Sequence, residues 1–330
     1  MKNACVVGCG KVSVVHIDAL LLCSNANFYG ICDIDESKTK ECLKEHQVKV
    51  FNSFDDVLAD ENIDCVHICT PHYLHTPMAI KALKAGKDVV LEKPAAISAE
   101  ELETLKKAVD ESDNRLCLMF QNRLNDSIAK LKEIVSGIDK TPEGVCGFLT
   151  WDRDADYYNS AEWRGTWSQE GGALMINQAI HLVDMIVYIG GAVDGIEAHI
   201  SNKSLRGIIE AEDTAEMLMY FKSGMRGCFY ASNAFTTSCP YRLEVVYDDV
   251  TYRYADGCLY EIKSDGDVNI IAKDNREYAG KACWGSSHAK EIEKFYSGKD
   301  YITLDSGYES MRVVLAMYES SKNNDAYIKL

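Results

Sequence analysis

Ala4-Cys5-Val6-Val7-Gly8-Cys9-Gly10-Lys11-Val12-Ser13 is the stretch whose reading decides the fold. A short apolar run ends at a glycine, a second glycine follows two residues later, and helical periodicity begins at once. A strand that turns this sharply into a helix presents free N–H groups and the positive end of a helix dipole, which suits a pyrophosphate. Gly8 permits the tight turn and Gly10 lets the backbone approach the anion, with Lys11 and Val12 completing the expected binding turn. The third glycine of this fingerprint is replaced by Ser13, which is small enough for close helix–strand packing. Asp33 stands twenty residues past Ser13, at the end of the second apolar run. A carboxylate there accepts two hydrogen bonds from an adenosine ribose and repels a 2′-phosphate, and Ile34 and Asp35 offer no cation. NAD is therefore expected in preference to NADP.

Outward from this turn the pattern is regular. Residues 4–7, 27–32, 64–69, 88–92 and 116–120 read as buried strands, and 11–24, 36–46, 72–86 and 98–113 as helices. A short strand at Val50-Phe51 and a helix at 53–60 complete the count. Alternating units of this kind form a doubly wound parallel sheet covered on both faces, so an α/β Rossmann domain is expected over residues 1–121. From residue 122 the rhythm changes. A helix at 124–136, a strand at 144–153, a loop rich in aromatics and a helix at 172–189 precede strand-like runs at 193–202, 212–222, 225–234, 241–247 and 250–262. Helices at 286–298 and 306–321 follow. An α+β domain with a large, mostly antiparallel open sheet is expected over residues 122–330.

Composition narrows the class. The formal net charge of −16 opposes nucleic acid and anionic membranes, although local backbone dipoles still hold a dinucleotide. No run approaches the 18 apolar residues of a membrane span, and the N-terminal stretch lacks the apolar region and cleavage site of a signal peptide, so a cytoplasmic protein is expected. The thirteen cysteines include no Cys-x-x-Cys pair, and Cys5, Cys32, Cys65, Cys69 and Cys117 fall in buried strands. They read as small hydrophobes, and no metal is expected.

Two further segments carry a resemblance. Thr70-Pro71-His72-Tyr73-Leu74-His75, followed by Ala82-Leu83-Lys84-Ala85-Gly86-Lys87-Asp88-Val89-Val90-Leu91-Glu92-Lys93-Pro94, resembles the Gfo/Idh/MocA family of oxidoreductases. The family's wording is a Thr-Pro-Asn turn, an Ala-Gly-Lys helix end and a Glu-Lys-Pro strand end, with His72 here in the asparagine position. The likeness extends over nearly the whole chain. It implies Thr70, Pro71, His72, His75, Glu92 and Lys93 along the cofactor, a cis bond before Pro94, and a second-domain sheet whose exposed face joins subunits into a homodimer or homotetramer. Independently, Lys93 at the carboxyl end of a parallel strand lies where open α/β sheets bind ligands, and a lysine beside nicotinamide stabilises a developing alkoxide.

The second constellation is Glu170-Gly171-Gly172-Ala173-Leu174-Met175-Ile176-Asn177-Gln178-Ala179-Ile180-His181-Leu182-Val183-Asp184. On an α-helix, Asn177, His181 and Asp184 share one face. The family has an Asp and a His four apart here; His181 matches, and Asn177 replaces the aspartate. A histidine titrates near neutrality and an amide does not, so Lys93 and His181 are expected to carry the acid–base work, with Asn177 holding a hydroxyl. Asp184 either orients His181 or bonds within the helix interface. Before this helix, Trp163-Arg164-Gly165-Thr166-Trp167 suits a carbohydrate, because aromatic faces stack on sugars and arginine donates forked hydrogen bonds; the alternative is a subunit interface. A Trp-Arg-Gly-Thr-Trp stretch occurs in one branch of the family, near the active site. Gln121, Arg123 and His288 resemble positions that line its cleft.

The reading is an NAD-dependent oxidoreductase passing a hydride between nicotinamide and a hydroxyl carbon of a sugar, sugar derivative or cyclitol. Two alternatives use the same fold: redox-neutral glycoside elimination through a transient keto-sugar, and a non-catalytic dinucleotide-binding protein.

Overall fold

A computed structural model describes residues 1–275 and 287–330. Contacts divide them into a first unit, residues 1–121 with 287–307, and a second, residues 122–275 with 308–330. A single division after residue 121 therefore needs a correction. The helix Ser287–Ser297 carries Ile292, Phe295 and Tyr296 on one face, and they join the core formed by Ile17, Ala19 and Leu20 of the first helix. Burying that apolar face against the first helix is what draws residues 287–307 into the first unit. Residue 286, the expected first residue of this helix, lies outside the described residues.

In the first unit, β1 (Lys2–Val7), α1 (Ser13–Leu22), β2 (Ala26–Cys32), α2 (Glu36–Cys42), β3 (Lys49–Phe51), α3 (Phe54–Ala59), β4 (Cys65–Ile68), α4 (His75–Lys84), β5 (Asp88–Leu91), α5 (Ala99–Asp110) and β6 (Leu116–Leu118) follow in order. The parallel sheet runs β3-β2-β1-β4-β5-β6. The chain steps from β1 to one side and then returns to the other, which puts the topological switch point at the carboxyl ends of β1 and β4. Helix starts are set locally: Asp35, Ser53 and Ser98 accept from the backbone N–H of Ser37, Asp56 and Glu101.

The second unit holds α6 (Asp126–Gly137), β7 (Gly144–Asp152), α7 (Ala155–Asn159), a π-helical turn (Leu174–Ala179), α8 (Ile180–Gly190), β8 (Val193–Ser201), β9 (Thr214–Phe221), β10 (Arg226–Ser232), β11 (Ala234–Val246), β12 (Val250–Ala255), β13 (Cys258–Lys263) and β14 (Val268–Lys273), and near the C-terminus β15 (Ile328–Lys329). Among the described residues its sheet has nine strands in the order β14-β13-β12-β11-β7-β10-β9-β8-β15, antiparallel except between β7 and β10. The expected single strand at 250–262 is a hairpin. Asp256 and Gly257 both take positive φ, 53° and 72°, as a two-residue turn between twisted strands requires. Helix α8 lies on the sheet where Gly147 leaves room; a Cβ there would stand 2.5 Å from Ile186 Cδ1. No helix among the described residues is long and apolar enough to cross a membrane.

Candidate functional site

The glycine turn of the first unit is shaped by two different needs. Gly8 has φ +90°, and a Cβ on it would meet the Cys69 carbonyl oxygen at 2.7 Å, so both conformation and the approach of β4 demand glycine. Gly10 faces open space, with nothing within 4 Å of a Cβ placed there. Ser13 Oγ donates to the Gly10 carbonyl at 2.6 Å, closing the turn onto α1. The half-buried Asp33 is tied to the same turn. Its Oδ2 accepts from the Cys9 N–H at 2.7 Å and its Oδ1 from the Asp35 N–H at 2.8 Å. Each carboxylate oxygen keeps a further lone pair for a ribose hydroxyl. Lys11 is exposed, and Val12, Thr70 and Pro71 are partly so, around the switch point.

The carboxyl end of β5 departs from expectation at Glu92. This residue is 5% exposed, and its Oε1 lies 3.0 Å from His16 Nε2 and 3.7 Å from His288 Nε2. His16 Nδ1 is 2.9 Å from His67 Nδ1, whose Nε2 is 2.9 Å from the Tyr296 hydroxyl. Burial pushes the Glu92 carboxyl up, but the hydrogen bonds and charge of the two histidines more than offset this and hold it well below the usual carboxylate range. Glu92 is therefore a buried carboxylate held between His16 and His288. The ligand atoms of His16, Glu92 and His288 all lie within 4.8 Å of one another, and the histidines satisfy the carboxylate directly. His75 also has a structural task. Its two ring nitrogens each lie 2.8 Å from a carbonyl oxygen, those of Pro94 and Thr70, so it braces the loops after β4 and β5. Lys93 follows Glu92, half-buried, and the Lys93–Pro94 bond is cis. His72 and Gln121 are buried, at 4% and 1% exposure.

In the second unit the helix bearing His181 starts as a π-turn, so the even α-helical spacing expected from Asn177 to Asp184 does not hold at Asn177. Two glutamates organise this start. Glu212, fully buried, accepts from the Ala173 and Met175 N–H groups and from the Tyr318 hydroxyl at 3.0 Å. Gly172 is required beside it, because its φ is +146° and a Cβ would stand 2.1 Å from the Tyr318 hydroxyl oxygen. Glu170 takes the Gly165 N–H on Oε2 and the Asn177 side-chain amide on Oε1 at 2.5 Å. Burial raises its carboxyl to about 7. His181 is buried at 5% exposure. Asp184 serves Arg123, through Nε at 2.9 Å and Nη2 at 2.5 Å, and the Ser310 hydroxyl at 2.7 Å. That buried ion pair makes Asp184 a helix-interface residue.

The aromatic loop divides. Arg164 stacks on Trp163 and Tyr157, whereas Trp167 turns edge-on to Tyr318 with ring centroids 5.2 Å apart. His16, His67, Glu170 and Glu212 escaped the sequence reading. His16 follows the glycine turn on α1 and Glu170 precedes the paired glycines, but only the fold shows what each one faces.

Residues 2–120 match the NAD-binding Rossmann-fold domain of an oxidoreductase family, Gfo/Idh/MocA, and residues 141–253 match the Gfo/Idh/MocA C-terminal domain. An uncharacterized oxidoreductase of Bacillus subtilis, YrbE, is 27% identical over 296 residues, 88% of this chain and 84% of the relative. Myo-inositol 2-dehydrogenase of Thermotoga maritima is 25% identical over 251 residues, 73% and 71% of the two chains. Among solved structures, the WlbA dehydrogenase of Bordetella pertussis, in complex with NADH and UDP-GlcNAcA, is similar with a TM-score of 0.85 and 26% identity, covering 100% of this chain and 98% of that one.

Proposed function

The chain belongs to the Gfo/Idh/MocA family of NAD-binding oxidoreductases, and from that premise we propose that it moves a hydride between NAD and a hydroxyl carbon of a sugar, sugar derivative or cyclitol. The observation that carries the cofactor half is Asp33, locked to the glycine turn through the Cys9 N–H with a lone pair on each oxygen left for ribose. That arrangement favours NAD over NADP, since a 2′-phosphate would meet a fixed carboxylate. The substrate half rests on the relatives that act on inositol or carry a sugar nucleotide beside NADH.

When bound, NAD supplies the redox chemistry, and the chain supplies position and charge. Lys93 donates to the reacting oxygen and stabilises alkoxide character as the carbon–hydrogen bond breaks. His181 takes the hydroxyl proton in oxidation and returns it in reduction. Asn177, with its amide turned by Glu170, holds the same or a neighbouring hydroxyl. One face of the nine-stranded sheet carries half-exposed Cys146, Phe148 and Tyr230 with Leu218 at 50% exposure; this face joins copies into a homodimer or homotetramer, to be checked by light scattering. The decisive experiment is a panel of sugars and cyclitols with NAD, reading reduced-nicotinamide absorbance against oxidised product. One-for-one formation supports the reading, and no reduction with any member removes it.

A further inference from the structure

Five side chains of the second unit alternate ring and guanidinium in a single ladder. The Arg153 guanidinium lies 4.5 Å from the Trp151 ring centroid and 4.8 Å from that of Tyr157. Arg164 lies 4.6 Å from Tyr157 and 4.6 Å from Trp163. The order is Trp151, Arg153, Tyr157, Arg164, Trp163, so each guanidinium touches two rings. The Tyr157 hydroxyl accepts from Arg164 Nη1 at 2.8 Å and from Gln178 Nε2 at 2.9 Å, which fixes the middle rung.

Two features of this ladder are unexplained by folding alone. In a chain of net charge −16, neither arginine has an ion pair among the described residues, whereas Arg115 and Arg123 each grip an aspartate. Hydrogen-bond donors are also left over. Trp151 Nε1, Arg153 Nε and Arg164 Nε are buried with no acceptor among the described residues. Buried donors are ordinarily satisfied, and a cluster of three on neighbouring side chains marks a place built for acceptors from outside. The acids close in sequence do not supply them. The Asp154 carboxylate caps α7 through the Tyr157 N–H at 3.0 Å, and Asp152, Asp156 and Glu162 are exposed; Glu170 feels the Arg164 charge, but its hydrogen bonds go to Gly165 and Asn177.

We propose that this ladder binds the acidic group of the substrate, a carboxylate or phosphate, so that the chain acts on a sugar acid or sugar phosphate rather than on a neutral polyol. The inference rests on the sugar oxidoreductase reading above and narrows its substrate class. An arginine covered by aromatic faces keeps only its edge for hydrogen bonding, and that edge is a planar fork matched to two oxygens of a carboxylate or phosphate. A hydroxyl offers one acceptor and no charge, and leaves a partly desolvated cation uncompensated. Arg153 also lines a groove of about 390 Å³ with Asp152, Asp154, Ser204, Asn233 and Phe235, which is room for a monosaccharide whose hydroxyls the two aspartates can accept from while its acidic group faces the arginines.

The test is calorimetric titration of the NAD-loaded protein with D-glucuronate, D-glucose 6-phosphate, UDP-glucose and D-glucose. At least one charged probe should bind about tenfold or more tightly than glucose. Arg153→Ala and Arg164→Ala should each remove most of that advantage while NAD affinity stays unchanged. Arg153→Lys and Arg164→Lys, which keep the charge and spare the fold if the alanine variants fail to fold, should recover only part of it, because they lack the fork. The glucuronate and phosphate arms separate a carboxylate from a phosphate ligand. Glucose binding as tightly as every charged probe, no binding of any charged probe, or undiminished discrimination in the variants overturns the inference. Reduction of NAD by neutral sugars at rates equal to the charged ones also overturns it while leaving the oxidoreductase reading intact. Tight binding of a charged probe with no reduction from any sugar does the reverse.

Discussion

Asn177 donates its side-chain amide to Glu170 Oε1 at 2.5 Å, and this bond decides which way the amide points. With Glu170 ionised, the amide nitrogen must face the carboxylate and the amide oxygen turns the other way, as an acceptor. Once protonated, Glu170 can donate to that oxygen instead. Burial sets the carboxyl to about 7, so the polarity that Asn177 presents is coupled to a proton exchanged near neutrality.

The same carboxyl leaves a mark on stability. Its folded value of about 7 lies above the ordinary 4.5, so the native state holds this proton more tightly than the unfolded chain. The contribution of Glu170 to stability therefore falls as pH rises from 4.5 through 7 and levels off above, by roughly 3 kcal/mol in all. Glu170→Gln removes that ionisation. Urea unfolding at pH 5 and pH 8 should show a smaller loss between the two in the variant than in the parent, and an identical loss would show that Glu170 does not titrate in this range.

Much of this arrangement was legible beforehand, for a physical reason. In the first unit the elements follow local periodicity, and Gly8 sits where a positive φ and the approach of β4 demand glycine. The second unit was read less well where the decisive partner is distant in sequence. Glu212 reaches Ala173 across 39 residues and Ser310 reaches Asp184 across 126, and no window of sequence carries such a contact. The π-turn at Leu174–Ala179 has no sequence signature of its own, because its apolar pattern is that of an ordinary buried helix. The Asp256-Gly257 turn is different: the dipeptide is itself a strong hairpin signal, set inside a long strand-like run.

Asp33 makes a prediction about cofactor choice. NAD should bind at least about tenfold more tightly than NADP, a difference of ~1.4 kcal/mol, because the 2′-phosphate meets a carboxylate already held by two backbone N–H groups. Asp33→Ser with Ile34→Arg should narrow the gap, and it should also weaken NAD itself, since the Cys9 N–H loses its charged acceptor. Fluorescence titration with both reduced cofactors checks this, and equal affinities in the parent protein would refute it.

Glu92 makes the opposite pH prediction to Glu170. Its carboxyl is held well below the usual range, so its contribution is present above the unfolded carboxylate value and is lost as pH falls through the folded one. Glu92→Gln leaves His16 and His288 facing an amide, and removing one partner of a buried pair typically costs about 3–5 kcal/mol. Thermal unfolding at pH 7 should fall by several degrees, with the variant losing less on further acidification than the parent. An unchanged melting temperature would mean that the histidines do not depend on this charge.

The division of labour between Lys93 and His181 is the sharpest test of the proposed chemistry. Lys93→Ala should lower kcat by about a hundredfold or more while NAD still binds, because it removes a donor felt mainly as charge develops on oxygen. His181→Ala should cost a similar amount and flatten the acidic limb of the pH–rate profile, since a base works only unprotonated. The two losses should be less than additive, because both act on one oxygen and its proton. Asn177→Asp discriminates further. Alone it sets two carboxylates in the 2.5 Å contact now made by Glu170 and Asn177, so they must share a proton and activity should fall as pH rises above neutrality. Combined with Glu170→Gln, the pair again holds one carboxylate and one amide, now exchanged, and activity should recover. Near-normal turnover in either alanine variant would place the acid–base machinery on other residues, and failure of the exchanged pair to recover would show that the carboxylate is needed at Glu170 itself.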